Sequence, residues 1–349
     1  LTFPVSDRSP YLTQNPHTTE RSTRNTTVST AKNEQVVGGL YAFFCYLIWG
    51  LFPLYFMLTA PATPLEIVAG RVLFSLVFCL ALLPLTRQVK NLLTVLGNLR
   101  QVGLLLVASL LIFGNWLLYV IATTSNNVME ASLGYYINPI VSVALGVVFL
   151  GERLRPLQWA GIGVAALAVL VMVVFYGSVP WLGLGLAFTF GFYGLVKKRI
   201  GAVPALVSLT METLLLTPLA AVLMWHFARS GQLTLLTEGP AHFWILVASG
   251  VLTAVPLLLF AGAAARVPLS VLGMVQYVGP TLQFLVALFV TQEHLSAGRW
   301  AGFVLVWVAA AFFITDSLLT QRRVRPRKPS AEVPSPDTNT GMLPQVKAN

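Results

Sequence analysis

The few charged and amide side chains that fall inside apolar stretches are where chemistry would have to sit. Glu66 and Arg71 lie in the run 65–85, Asn115 in 101–121, and Glu130, Tyr135, Tyr136 and Asn138 in 127–150. Glu212 lies in 204–227, and Gln276, Tyr277 and Gln283 lie in 270–291. An ionised group at the centre of a membrane helix costs about 2.5–3.5 kcal/mol on insertion scales, so each needs a partner or a task. Glu66 and Arg71 stand five positions apart, about 140° around a helix, and must face different neighbours. For Arg71 three readings stay open: a structural ion pair or carbonyl clamp, contact with an anionic solute, or snorkelling to the interface. Glu130 either favours the dipole of its own first turn or acts as a protonatable gate. Glu212, about 12 Å from the inner surface at 1.5 Å per residue, is a second proton-carrier candidate, and Glu66 a third. Tyr136, Asn138, Gln276, Tyr277 and Gln283, with Arg71 and Asn115, are the candidate solute contacts.

Enzyme chemistry finds little footing. The histidines (His17, His226, His242, His294) are scattered, and neither HExxH nor a Cys/His cluster is present to hold a metal. There is no GxSxG and no GxxxxGK[ST]. Cys45 and Cys79 sit in apolar runs as small hydrophobes. No enzyme activity, metal or cofactor is expected.

The elements that position these residues follow from composition. Hydrophobic residues make up 56% of the 349 and charged residues only 10%, far below the roughly 25% charged residues of a soluble chain. Ten runs reach the ~20 residues that a ~30 Å hydrocarbon core demands. They are 36–58, 65–85, 101–121, 127–150, 157–176, 179–196, 204–227, 243–265, 270–291 and 298–318. Each is expected to be helical, because backbone groups in lipid must be satisfied within their own segment. Residues 1–35 and 319–349 are polar and read as disordered tails, the second one basic. With the first apolar run near Val36, no signal peptide is expected. The net charge of +10 raises nucleic acid as a partner. However, the basic residues cluster in alternate loops and tails, as cytoplasmic loops do, so nucleic-acid binding is not expected. With both termini inside, 19 of the 22 Lys and Arg fall on that side and only Arg229 and Arg299 opposite.

The chain repeats itself. VMEASLGYYINPIVSVALGVVFLGERLRPLQWAG (128–161) matches LSVLGMVQYVGPTLQFLVALFVTQEHLSAGRWAG (269–302) with a shift of 141 positions. Tyr136 meets Tyr277, Pro139 meets Pro280, Glu152 meets Glu293, and Trp159 meets Trp300. Pro139 and Pro280 are expected to break their helices, freeing carbonyls that lipid tolerates only against protein or a water-filled cavity. At 1.5 Å per residue the first break lies near the bilayer centre. Glu152 and Glu293 are expected to cap the helices that follow them. Asp316 and His226, near span ends, are expected to meet headgroups or water. Five spans per copy is an odd number, so the copies (36–176 and 179–318) must cross the membrane in opposite senses. That is the inverted repeat of secondary transporters.

The residues also carry a resemblance. WGLFPLYF (49–56), LEIVAGRVLFS (65–75), NWLLYVIA (115–122), EASLGYYINPIVSVALGVVFLGERLRPLQW (130–159) and TAVPLLLFAGAAARVPLSVLGMVQYVGPTLQFL (253–285) resemble the RarD branch of the EamA family. That family lies in the drug/metabolite transporter superfamily. The resemblance covers residues 36–318 and leaves both tails outside. It implies a bacterial inner-membrane permease of ten helices that exports small metabolites or drugs; the branch carries the label chloramphenicol-sensitive protein. The expected function is secondary-active transport by alternating access with proton coupling, in a chain that is open to pairing as a homodimer. A passive channel and a non-transporting sensor or scaffold are the rival classes.

Overall fold

The computed structural model describes residues 16–151, 153–176, 179–267 and 269–324. Among them all regular secondary structure is helical, with no strand. The helices are α1 (Pro16–Met57), α2 (Pro64–Leu85), α3 (Val89–Leu96), α4 (Leu99–Thr124), α5 (Val128–Leu150) and α6 (Pro156–Tyr176). They continue with α7 (Trp181–Ile200), α8 (Ala205–Arg229), α9 (Gly239–Ala264), α10 (Leu269–Val275), α11 (Val278–Phe289) and α12 (Ala297–Val324). Eight of these are long and apolar enough to cross a membrane: α1, α2, α4, α5, α6, α8, α9 and α12. The described residues are those of a polytopic membrane protein whose regular structure is helical. α7 carries Lys197, Lys198 and Arg199 in its last turn, and α11 is a shorter apolar helix beyond a junction at Gln276–Tyr277.

Local chemistry sets several boundaries. Thr63 caps α2, its Oγ1 accepting from the Glu66 N–H at 3.3 Å, with Pro64 in the first turn where no donor is lost. Asn98 caps α4 through the Gln101 N–H at 3.2 Å. Gly151 ends α5 at φ +66°, a left-handed conformation that costs glycine little.

Two expectations about these boundaries need correction. Helix α1 begins at Pro16, so residues 16–35 are helical here rather than a disordered tail; extending an existing helix avoids the cost of a new nucleus. Residues 1–15 and 325–349 lie outside the described residues, as does Glu152. Pro139 does not break its helix: α5 runs through it from Val128 to Leu150. A proline removes one donor and crowds one carbonyl, and a helix held on both sides by packing can absorb that. Pro280 likewise sits inside the first turn of α11, while the break lies just before it.

Packing interleaves the two halves of the chain. α1 lies on α9 and α11, α2 on α8 and α9, α4 on α7, α5 on α7 and α11, and α6 on α12. In lipid no hydrophobic drive pulls helices together, so small residues that let backbones approach set the crossings. A Cβ on Gly134 of α5 would stand 2.5 Å from the Gly183 carbonyl oxygen of α7, and one on Gly50 of α1 3.1 Å from the Gly279 oxygen of α11. α6 and α12 meet at two glycines, Gly161 against Phe313 and Gly302 against Met172.

Candidate functional site

The polar residues fall into four places rather than one cavity. Arg71 is the centre of the first. Its side chain is 4% exposed, and Nε donates to Thr253 Oγ1 on α9 at 2.6 Å. That hydroxyl donates onward to the Ser249 carbonyl at 2.7 Å. The guanidinium lies 4.3 Å from the Trp116 ring centroid and 5.5 and 5.9 Å from Phe52 and Phe56. The phenols of Tyr55, Tyr119 and Tyr135 are close enough to interact with its charge. Among the described residues no carboxylate pairs with Arg71, so the structural ion pair is not formed. Glu66, on the same helix, turns elsewhere. Its Oε1 accepts from the Thr234 and Leu235 N–H groups at 2.8 and 2.9 Å and from the Thr234 hydroxyl at 3.0 Å, tying down the α8–α9 loop.

Asn115 adjoins Trp116 on α4 but reaches α7: its amide donates to the Leu186 carbonyl and to Thr189 Oγ1, both at 3.0 Å. Those two donors are occupied in holding the helices together.

The second place is the α5–α11 seam. Tyr136 stacks on Tyr277 with centroids 6.0 Å apart and planes 24° from parallel, and its hydroxyl shares a 2.7 Å hydrogen bond with Thr281. Ser132 donates to the Pro280 carbonyl at 2.8 Å. Three buried atoms on these segments have no partner among the described residues: Asn138 Oδ1, Tyr277 Oη and Gln283 Oε1. The other end of the Gln283 amide donates to the Trp49 carbonyl at 3.2 Å. Gln276, half-buried at the junction, makes no side-chain hydrogen bond among the described residues.

The third place lies near the basic end of α7. Glu212 of α8 pairs with Lys197 at 2.7 Å and accepts from Ser208 at 2.9 Å and from the Tyr193 hydroxyl at 3.1 Å. Lys197 also donates to Ser208.

The fourth is a chain of carboxylate caps at the opposite end of the bundle. Glu293 accepts from the Val128 and Met129 N–H groups at 2.7 and 3.2 Å, at the start of α5. Glu130, in the first turn of α5, accepts in turn from the Leu182 N–H at 2.9 Å, at the start of α7. A pocket of about 220 Å³ lined by Glu130, Glu293, Arg299 and Pro180 lies between them. Burial pushes the Glu293 carboxyl above the usual carboxylate range, opposed by those two N–H groups, the Thr291 hydroxyl and Arg299. The expectation that Glu293 caps its own following helix is overturned, because the donors it finds belong to α5. Asp316 is likewise 5% exposed and paired with Arg155 at 2.9 Å rather than set among headgroups. Neither partner could be read from neighbours in sequence, since each lies more than 150 positions away.

Comparison with known proteins bears on what this arrangement serves. Residues 36–174 match the EamA-like transporter family. The chain is 45% identical over 305 residues to Protein RarD of Streptomyces exfoliatus, covering 86% of this chain and 95% of that one. This chain belongs to the RarD branch of the EamA family. Protein RarD of Escherichia coli (strain K12) is 42% identical over 286 residues, covering 82% of this chain and 96% of its own. The uncharacterized transporter YojE of Bacillus subtilis (strain 168) is 40% identical over 289 residues, at 82% and 96% coverage. A solved structure described as "Crystal structure of protein" shares the fold, with TM-score 0.54 and 19% identity over 80% of this chain and 98% of its own. The RarD relatives are bacterial, and the apolar helices make this member a multi-pass protein of the inner membrane. It is a membrane transporter that handles small solutes.

Proposed function

We propose that this RarD-branch protein is a secondary-active permease that exports a small organic solute by alternating access. Its ten spans are the eight apolar helices together with α7 and the α10–α11 pair, arranged as two oppositely oriented five-helix halves with both termini cytoplasmic. One observation carries the reading: Tyr136 and Tyr277, equivalent positions in the two copies, stack on each other. Equivalent residues touch only where a two-fold axis passes between them. The α6–α12 contacts obey the same exchange, since Gly161 faces Phe313 while Gly302 faces Met172, and both pairs are related by 141 positions. The segments that carry this stack, α5 and the α10–α11 pair, also hold the atoms of Asn138, Tyr277 and Gln283 that are unpartnered among the described residues. A buried polar atom without a partner costs about 1–3 kcal/mol, so a seam holding three of them favours a polar guest.

Glu212 is the preferred coupling group. Loading a proton onto it would release Lys197, changing the charge of the inner end of the bundle and biasing one conformation over the other. Glu130 and Glu66 are instead engaged with backbone N–H groups, at the start of α7 and in the α8–α9 loop. A comparison of metabolites in deletion and overproducing cells should identify the exported solute. Its flux in proteoliposomes should then saturate, show counterflow and respond to a pH gradient. Non-saturating flux would identify a channel, and binding without flux a sensor. If E212Q, E130Q and E66Q each retain full proton dependence, the coupling assignment is wrong.

A further inference from the structure

Arg71 is a buried cation whose surroundings look unlike those of a structural arginine. Such a residue normally spends its five donors on carboxylates or several carbonyls. Here a single hydroxyl, Thr253 Oγ1, takes Nε–H, and both Nη groups are without a hydrogen-bond partner among the described residues. The flat faces are covered instead: Trp116 lies 4.3 Å away, with Phe52 and Phe56 at 5.5 and 5.9 Å. Cation–π contact stabilises the charge but leaves the edge of the fork, where a carboxylate binds, unsatisfied. Close to it the Tyr119 hydroxyl is buried and has no partner among the described residues, so an O–H donor is available in addition to the guanidinium N–H groups. The ring of Tyr119 itself packs against Phe56 at 5.9 Å and Tyr135 at 5.5 Å, so the donors are set in aromatic walls.

We infer that this box on α1, α2 and α4 receives the anionic end of the solute, which is therefore an organic carboxylate with a flat apolar body. The inference rests on the permease reading above and narrows its substrate class. The two Nη groups take the carboxylate oxygens side by side, Tyr119 donates to one of them, and the aromatic walls take the ring. Inorganic anions lack the part that the walls would hold.

The test is calorimetric titration of the full chain in lipid nanodiscs with phenylacetate, phenylacetamide and acetate. Phenylacetate should bind about tenfold or more tightly than either of the others, a difference of roughly 1.4 kcal/mol. R71Q should bring phenylacetate down to the level of phenylacetamide while leaving phenylacetamide unchanged, which also shows that the variant is folded. Should R71Q not fold, R71K serves: it keeps the charge but loses the fork, and the preference should shrink severalfold. Equal binding of phenylacetate and phenylacetamide, acetate binding as tight as phenylacetate, no binding of any of the three, or an undiminished preference in the variant would overturn the assignment. So would competition by anionic lipid in the nanodisc, which would give the box to a headgroup. Because binding is read without flux, the two readings fail separately. Phenylacetate bound but not carried removes the permease and keeps the anion box, whereas saturable flux with no carboxylate preference does the reverse.

Discussion

Glu293 shows how much a single buried acid can hold. Its two oxygens satisfy the first two N–H groups of α5, which would otherwise be orphaned at a helix start. Replacing it by alanine should cost about 1–2 kcal/mol of stability, read as a lower melting temperature in detergent or nanodiscs. Its pH dependence has a definite sign. Burial raises the carboxyl above its ordinary value, so the folded chain binds this proton more tightly than the unfolded chain does. The contribution is greatest below the unfolded value and is lost as pH rises through the folded one. Thermal unfolding from pH 7 downward should therefore show a stabilising term on acidification that E293Q removes. A melting curve with the same pH slope in E293Q would reject this. Sequence displayed the acid and its repeat partner Glu152, but a carboxylate 165 positions from its donors leaves no local trace.

Among the helices, the α5–α7 crossing is the most demanding. Gly134 and Gly183 bring two backbones into contact, and a Cβ at either would overlap main-chain atoms that cannot swing away. G134V should force the helices apart and cost about 1–3 kcal/mol, with lower yield of folded protein by size exclusion. G163A on α6 is the matched control. Among the described residues nothing lies within 4 Å of the added carbon, and alanine in place of a helical glycine should be neutral or gain up to about 1 kcal/mol. Equal damage from both variants would mean that the crossing does not limit stability. The prolines were legible as positions but not as breaks. Pro139 is absorbed by a helix clasped between α7 and α11, whereas the junction near Pro280 falls at Gln276–Tyr277, where no residue type announces it.

For the whole molecule, loops of one face should all lie on one side of the membrane. Glu66 holds the α8–α9 loop, and Glu293 holds the start of α5. Both native cysteines are buried, which leaves a quiet background for labelling. Q232C and H294C should react with a membrane-impermeant maleimide in intact cells, while K90C should react only after permeabilisation. Labelling of all three in intact cells, or of K90C alone, would refute the orientation. The division of Lys and Arg between alternate loops already pointed this way, because it is read from positions along the chain and needs no contacts.

Hydropathy, loop charge and the 141-residue echo could be read directly because each is local or periodic. Lipid forces an apolar run to satisfy its own backbone, so helix formation follows from the run itself. Partner choice is different in kind. Whether Arg71 meets a carboxylate or a ring of aromatics depends on how α1, α2, α4 and α9 rotate against one another. Close packing of glycines and bulky side chains sets that rotation across the two halves. The caps made by Glu130 and Glu293, the Lys197–Glu212 pair and the Tyr136–Tyr277 stack arise in the same way, from residues that become neighbours only once the halves interlock.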